Sequence, residues 1–510
     1  MARWQMITVI IALYLVLTLG IGLRAGRKAS KSVTGYVAGD RSFGLLVMYF
    51  IFGATMFSAF AFLGGPGWAY SRGAAAFYIL SYGILGMAPW YWVGPRAARV
   101  GRRFGYVTQA QLLVGRFPSR PLTALMAALT VLAFIPYITL QMRGAGIVIN
   151  AVTDGHIPLW LGAGLAYGIV IVYVLSACVA AVGWTNTFQG VVMLVIAWSL
   201  GIYLPMRLYG GVGSMFEQIA TQRPELLTVP GLTATGEPWT WGGYSTSILI
   251  SAIGVAMWPH LFMKAFAAKD DRTIRRTVVL FPTFQLFLIP VFIIGFAGVL
   301  FPESPDQADF ILPFLILRSE LPALVVGLFC AGALSASMST GDALLHASAS
   351  VAVEDGVRPF RTLTDRQQRS LMRWLVLAMG AVAYFFALND RVSLVVLLLS
   401  SYGIIAQFTP PLISALYWKR ATTPGILSGL VAGSAVTLFF FFEGAARPFD
   451  LHEGVLGLLV HIPVLVVVSL LTKDSAPEKA EAFLRAAKGD GDVYAAGPPE
   501  SLDGTGGSHS

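Results

Sequence analysis

The sequence predicts an all-α membrane protein of thirteen transmembrane helices, and three observations predict it. The chain has 510 residues, is 56% hydrophobic and carries only 12% charged residues, where a soluble domain carries about 25%. Its apolar residues gather in runs of about 20, the length that crosses a bilayer. Its Lys and Arg gather between alternate runs.

The runs cover residues 4–23, 42–70, 74–100, 121–152, 157–182, 186–207, 243–266, 277–301, 320–352, 370–388, 392–418, 424–443 and 452–471. The first is too long for a signal-peptide core and lacks a small-residue cleavage site, so it reads as a span. After it come Arg24, Arg27, Lys28, Lys31 and Arg41. After the third come Arg96, Arg99, Arg102, Arg103, Arg116 and Arg120. Lys264, Lys269, Arg272, Arg275 and Arg276 follow the seventh. Arg358, Arg361, Arg366, Arg369 and Arg373 follow the ninth, and Lys419 and Arg420 the eleventh. An odd number of spans puts all of these on one face, which the positive-inside rule assigns to the cytoplasm. The N-terminus is then outside and the C-terminus inside, with Glu303, Asp306, Asp309 and Glu320 on the outer side. Residues 1–472 form one transmembrane domain. Residues 473–510, rich in Ala, Gly, Asp, Glu and Pro, read as a cytoplasmic tail, largely disordered beyond one short helix at 476–488.

The net charge of +9 does not indicate nucleic-acid binding, because the basic residues sit in short loops between spans. Cys178 and Cys330 lie in apolar runs and suggest neither a disulfide framework nor a zinc site. An enzyme would need converging His, Asp, Glu or Cys. His260, His346 and His461 fall on separate spans without metal-like spacing, and no base neighbours the serines of 338–350 in sequence. A channel would need a symmetric filter and a continuous polar lining.

Two spans are interrupted instead. Residues 53–70 contain Gly64-Gly65-Pro66-Gly67, and residues 251–266 contain Gly254 and Pro259. They are five spans apart, as expected of inverted repeats over about 42–207 and 243–418. Arg143 and Asp342 stand inside apolar runs, where ionisable groups mark binding sites or pathways.

Residues 35–73 (GYVAGDRSFGLLVMYFIFGATMFSAFAFLGGPGWAYSRG) and 327–355 (GLFCAGALSASMSTGDALLHASASVAVED), with GWTNTFQG at 183–190 and WPHLFMKAFAAKD at 258–270, resemble the sodium:solute symporter family. The resemblance runs from about residue 5 to 472. It implies a five-plus-five inverted-repeat, LeuT-like core with three further helices, alternating access, and solute uptake coupled to sodium. It implies sodium ligands at the carbonyls of Ala54, Phe57 and Ala336 and the hydroxyls of Ser339 and Thr340. Ala336, Ser339 and Thr340 stand at i, i+3 and i+4 and share a helix face. The alternative is that the hydroxyls bond back to their own helix. Asp342 either raises cation affinity, carries a proton, or faces an inner aqueous vestibule. Asn186 stands where many members carry Asp, which favours one sodium per cycle.

By the same resemblance, solute contacts fall at Phe60, Gln141, Arg143, Trp258 and His260. Phe57 and Phe60 would form an apolar wall. Arg143 can grip a carboxylate bidentately or snorkel to the outer interface. His260 is a hydrogen-bond donor or a structural residue. The segments around Arg143 and His260 look most like the bacterial monocarboxylate and small amino-acid branch. The expected function is sodium-coupled symport of a small organic anion or amino acid, with no organic cofactor and no metal besides sodium. Its partners are the solute and membrane lipid, and it acts as a monomer. The alternatives are proton coupling, or another solute such as a vitamin or sugar.

Overall fold

Long apolar runs without strong breakers fold here into long helices. The computed structural model describes residues 2–27, 37–388, 401–474 and 477–489. Lys28, Lys31, residues 389–400 at the start of the eleventh expected span, the tail from 490 and the side chain of Cys178 lie outside the described residues. The described chain is helical, with only two isolated β-bridges and no strand.

In order come α1 (Arg3–Arg27), α2 (Leu45–Met56), α3 (Gly65–Arg72), α4 (Phe77–Met87), α5 (Trp90–Phe104), α6 (Gln109–Arg116) and α7 (Arg120–Val152). Then follow α8 (Leu159–Tyr209), α9 (Val212–Gln222), α10 (Trp241–Val255), α11 (Pro259–Ala267), α12 (Asp271–Gln285), α13 (Leu288–Ala297) and α14 (Ile311–Arg318). The last are α15 (Ala323–Val351), α16 (Asp365–Ala387), α17 (Thr409–Tyr417), α18 (Thr423–Glu443), α19 (Glu453–Leu471) and α20 (Pro477–Lys488).

Among the described residues eight helices are long and apolar enough to cross a membrane, or ten if each of two bent pairs is one span. The fifth and sixth expected spans differ from expectation. No loop separates them, because nothing in residues 183–186 stops a helix. The 51 residues of α8 run on without a loop; within them Ala181–Tyr209 is long and apolar enough to cross a membrane, and Leu159–Leu175 is a shorter apolar stretch. Apolar side chains such as Leu13, Trp92 and Phe385 are each more than 60% exposed, as the lipid-facing surface of a multi-pass membrane protein requires.

The centre is α15. Every residue from 330 to 351 is buried, and a helix buried on all sides belongs inside a larger bundle. It packs against α1, α2, α7 and α8. The two bent pairs are tied to each other by backbone. Phe43 N donates to Ala267 O (3.0 Å) and Lys269 N donates to Phe43 O (3.1 Å). Arg41 adds hydrogen bonds to the carbonyls of Gly101 (3.0 Å), Tyr106 (3.1 Å) and Phe266 (3.3 Å). Beyond the last span, α20 lies on α5. Phe483 stacks on Phe104 at 6.1 Å, and Arg99 donates to the carbonyl of Lys488 at 2.7 Å.

Candidate functional site

The first break is set by backbone geometry at Phe57. There ψ swings to 90°, while the Phe57 N–H still bonds to Gly53 O at 3.2 Å. The chain turns helical again through a wide π-helical turn at Phe60–Gly64 and continues into α3. The two halves are bent by 58°. This corrects the expectation of a break at residues 64–67. Pro66 lies where the π-helical turn passes into α3, so the helix runs through it. The glycines allow close approach instead: a Cβ on Gly67 would stand 2.9 Å from Ala308 O.

Ending α2 at Met56 frees the carbonyls of its last turn. α15 brings hydroxyls to them. Ser339 Oγ donates to Ala54 O and Thr340 Oγ1 donates to Thr55 O, both at 2.8 Å. Ala336 O also lies near both hydroxyls, 3.2 Å from Ser339 Oγ and 3.4 Å from Thr340 Oγ1. Of the expected ligand set, Ala54, Ala336, Ser339 and Thr340 therefore come together, and Phe57 forms the reversal beside them. Thr55 is an addition that sequence reasoning missed. The donor set is all neutral oxygen at a helix C-terminus, which suits a hard monovalent cation. A hydroxyl that now donates to a carbonyl can rotate and turn a lone pair to an ion.

Asn186 of α8 fastens this cluster. Its Nδ2 donates to Thr55 Oγ1 (2.8 Å) and Ser339 O (3.1 Å). Two donors from one side chain need an amide, so a carboxylate could not replace it without breaking the bond to the carbonyl. Asp342 lies one turn along α15 and is fully buried. Its Oδ2 accepts from Tyr173 OH at 2.8 Å and Thr185 Oγ1 at 3.2 Å. In this structure it does not face an aqueous vestibule.

The second half of the break is capped by α7. Gln141 Oε1 accepts from Ala59 N at 2.9 Å, and Ser337 Oγ donates to Gln141 O at 2.6 Å. Gly144 lets α7 approach, since a Cβ there would lie 2.5 Å from Ala59 Cβ. Phe134, Tyr137, Gln141 and Gly144 share one helix face by their 3–4–3 spacing. Arg143 stands two residues beyond Gln141, about 200° round the helix. It is 4% exposed, so it is packed within protein rather than reaching for an interface. It does not share the face that meets the break.

The second bent pair, α10 and α11, turns by 40° at residues 256–258. Pro259 occupies the first turn of its helix. Trp258 sits at the turn among Tyr137 (4.9 Å between ring centroids), Tyr402 (5.8 Å) and Phe134 (5.9 Å). His260 is 5.6 Å from Trp258 and 5.9 Å from Tyr137, and its ring nitrogens have no hydrogen-bond partner among the described residues. Phe60 is buried at the first break, while Phe57 stacks on Phe284 at 5.5 Å. Trp258, His260 and the Gln141 face of α7 thus converge. Phe134 and Tyr137 were legible as positions i and i+3 before Gln141. Tyr402 carried no local signal. Lys264 corrects another expectation: it is not a loop residue but lies inside α11, 3% exposed.

The profile of the sodium:solute symporter family matches residues 36–433. The chain is 30% identical over 488 residues to YhjB, an uncharacterized symporter of Bacillus subtilis (92% of this chain, 97% of that one). It is 26% identical to a monocarboxylate transport permease protein of Rhizobium johnstonii over 458 residues (87% and 91%). It is 28% identical to the sodium/pantothenate symporter of Escherichia coli over 443 residues (83% and 88%). The fold is similar to that of a Na+-coupled sialic acid symporter in a substrate-bound, outward-open state. The TM-score is 0.76 at 18% identity, over 92% of this chain and 98% of that one.

Proposed function

The chain belongs to the sodium:solute symporter family, and from that premise we propose that it carries a small monocarboxylate or small amino acid into the cell together with one sodium ion. The family membership makes it a sodium-coupled transporter and not an enzyme. The observation that supports the ion site best is the pair of 2.8 Å contacts joining Ser339 and Thr340 to the freed carbonyls of Ala54 and Thr55. We assign the ion to Ala54, Phe57, Ala336, Ser339 and Thr340. An ion there bonds α2 to α15 and so biases the pocket toward one side of the membrane, because it binds the two arrangements with different affinity. The amide of Asn186, which adds no charge to the cluster, supports one sodium ion per cycle.

The solute meets Phe60, Trp258 and His260 beside the first break. Gln141 Nε2, which has no partner among the described residues, is free to donate to it. Arg143, buried on another face of the same helix, would act on an anionic solute only through its field. The similarity to a monocarboxylate permease supports this solute class. The similarity to a pantothenate symporter favours a larger carboxylate as the second reading. The thirteen-span count, the outer N-terminus and the inner C-terminus belong to the same proposal, as does action as a monomer.

The experiment is uptake into proteoliposomes under an imposed sodium gradient, across lactate, pyruvate, acetate, proline, pantothenate and glucose. Sodium-driven accumulation of a small carboxylate or amino acid is expected. Strong glucose uptake without any carboxylate uptake overturns the solute class. Equal accumulation with choline in place of sodium overturns the ion site.

A further inference from the structure

The helix beyond the last span is seated, not trailing. α20 carries one apolar stripe, Ala480, Phe483 and Ala487, at i, i+3 and i+7, and all three are buried. Phe483 stacks on Phe104 of α5 at 6.1 Å. At the far end Gly489 takes the left-handed conformation (φ 87°), and its N–H bonds to Arg485 O at 3.0 Å, which closes the helix. Arg99 of α5 then caps the last carbonyls, donating to Ala487 O at 3.2 Å and Lys488 O at 2.7 Å. A Cβ on Gly489 would stand 3.1 Å from Arg99 Nη1, so the glycine also makes room for the guanidinium.

Arg99 does not serve α20 alone. Its Nε pairs with Asp271 Oδ2 at 2.5 Å, and Arg102 pairs with Asp271 Oδ1. Asp271 is the first residue of α12. On the other flank Glu481 lies 3.7 Å from Lys419, and Asp474, three residues ahead of α20, pairs with Arg116 of α6 at 3.0 Å. Arg116 is fully buried and also donates to the carbonyls of Lys419 (3.1 Å) and Ala421 (3.2 Å), in the link between α17 and α18. One short helix therefore fastens α5 and the head of α12 to α6 and the end of α17. α5 in turn packs on α11, the second half of the second bent pair. An exposed pair such as Lys419 and Glu481 adds little, so the buried ring of Phe483 carries most of the attachment.

We propose that α20 is a latch on the inner face of the transporter. Alternating access needs the inner ends of the two repeats to part. α5 falls in the first expected repeat, and α12 and α17 in the second. While α20 is seated, α5 and α11 are held to the link after α17, and the narrow cavity lined by His260, Met263 and His346 stays shut toward the cytoplasm. Opening inward then waits on α20 leaving its seat. This rests on the inner C-terminus and the transport reading above.

Met263 on α11 is 4% exposed, so a thiol placed there reports inner opening. The test measures how fast full-length Met263→Cys reacts with a membrane-impermeant methanethiosulfonate in inside-out and in right-side-out vesicles, at one fixed sodium concentration and without solute. It is run alone and combined with Phe483→Glu, which puts a charge into the buried stripe, or with Gly489→Val, which disfavours the left-handed cap. The same chains without Met263→Cys give the background from Cys178 and Cys330. Both combinations are expected to react several-fold faster than Met263→Cys alone from the inner side only. An unchanged inner rate with Phe483→Glu overturns the proposal, as does a rise from both sides alike, which marks general loosening. Where Phe483→Glu does not fold, Gly489→Val decides by the same criteria. Labelling of Met263→Cys from the outer side only refutes the orientation, and the latch falls with it, while the sodium-driven uptake assay tests the transport reading separately.

Discussion

Thr340→Ala removes one oxygen from the proposed ion cluster and should weaken sodium without abolishing transport. In the structure its hydroxyl donates to Thr55 O at 2.8 Å. With an ion present the same oxygen becomes a ligand. A hydrogen-bond-like contact to a charged group is worth about 1.5–3 kcal/mol. The variant also loses the neutral bond to Thr55 in the ion-free state, worth about 1 kcal/mol, and that loss offsets part of the first. The difference is about 0.5–2 kcal/mol, which at about 1.4 kcal/mol per tenfold gives a roughly 2- to 30-fold weaker sodium affinity. The assay is initial uptake rate against sodium concentration at fixed pH, supported by the sodium-dependent rise in thermal midpoint, which follows the same binding constant. Thr340→Ser keeps the oxygen and should stay close to wild type. An unchanged sodium dependence in Thr340→Ala would refute the ligand assignment.

Asn186→Leu leaves the carbonyl of Ser339 and the hydroxyl of Thr55 without their donor, so the thermal midpoint should fall by the equivalent of about 1–3 kcal/mol even without sodium. Gly144→Val pushes a side chain into Ala59 and should cost about 1–3 kcal/mol by overpacking, read as a lowered midpoint together with lost uptake. Trp258→Ala should raise the solute concentration for half-maximal uptake several-fold at saturating sodium, while Trp258→Phe keeps most of the ring contacts with Tyr137 and Phe134. Arg143→Gln should reduce uptake of carboxylates more than that of a neutral amide analogue. An equal loss for both would assign Arg143 a structural role.

The membrane class and the interrupted helices were legible because apolar run length and Gly/Pro placement are local properties. The hydroxyl–carbonyl cluster proposed as the ion site was legible because Ala336, Ser339 and Thr340 fall on one helix face. The position of the first break was not. Gly64 to Gly67 look like the weakest point of the span, but the helix runs through Pro66 by way of the π-helical turn before it, and the glycines answer to neighbours such as Ala308. The chain yields at Phe57 instead, where Gln141 and the hydroxyls of α15 satisfy the freed backbone. That support comes from residues 82 positions or more away, and no local pattern reports it. Lys264 was misread for a related reason: a basic residue near a run's end resembles a loop charge until the helix that carries it is seen to be buried there. Gln141 and Arg143 looked like one site by adjacency, and the helical repeat separates them.

The exchange of backbone hydrogen bonds at Phe43 has a mechanical consequence. It rivets the entry of one interrupted segment to the exit of the other, so neither can swing by itself. The link between the two segments is made by main chain alone. Under the proposed function, severing that rivet is expected to uncouple the ion from the cargo.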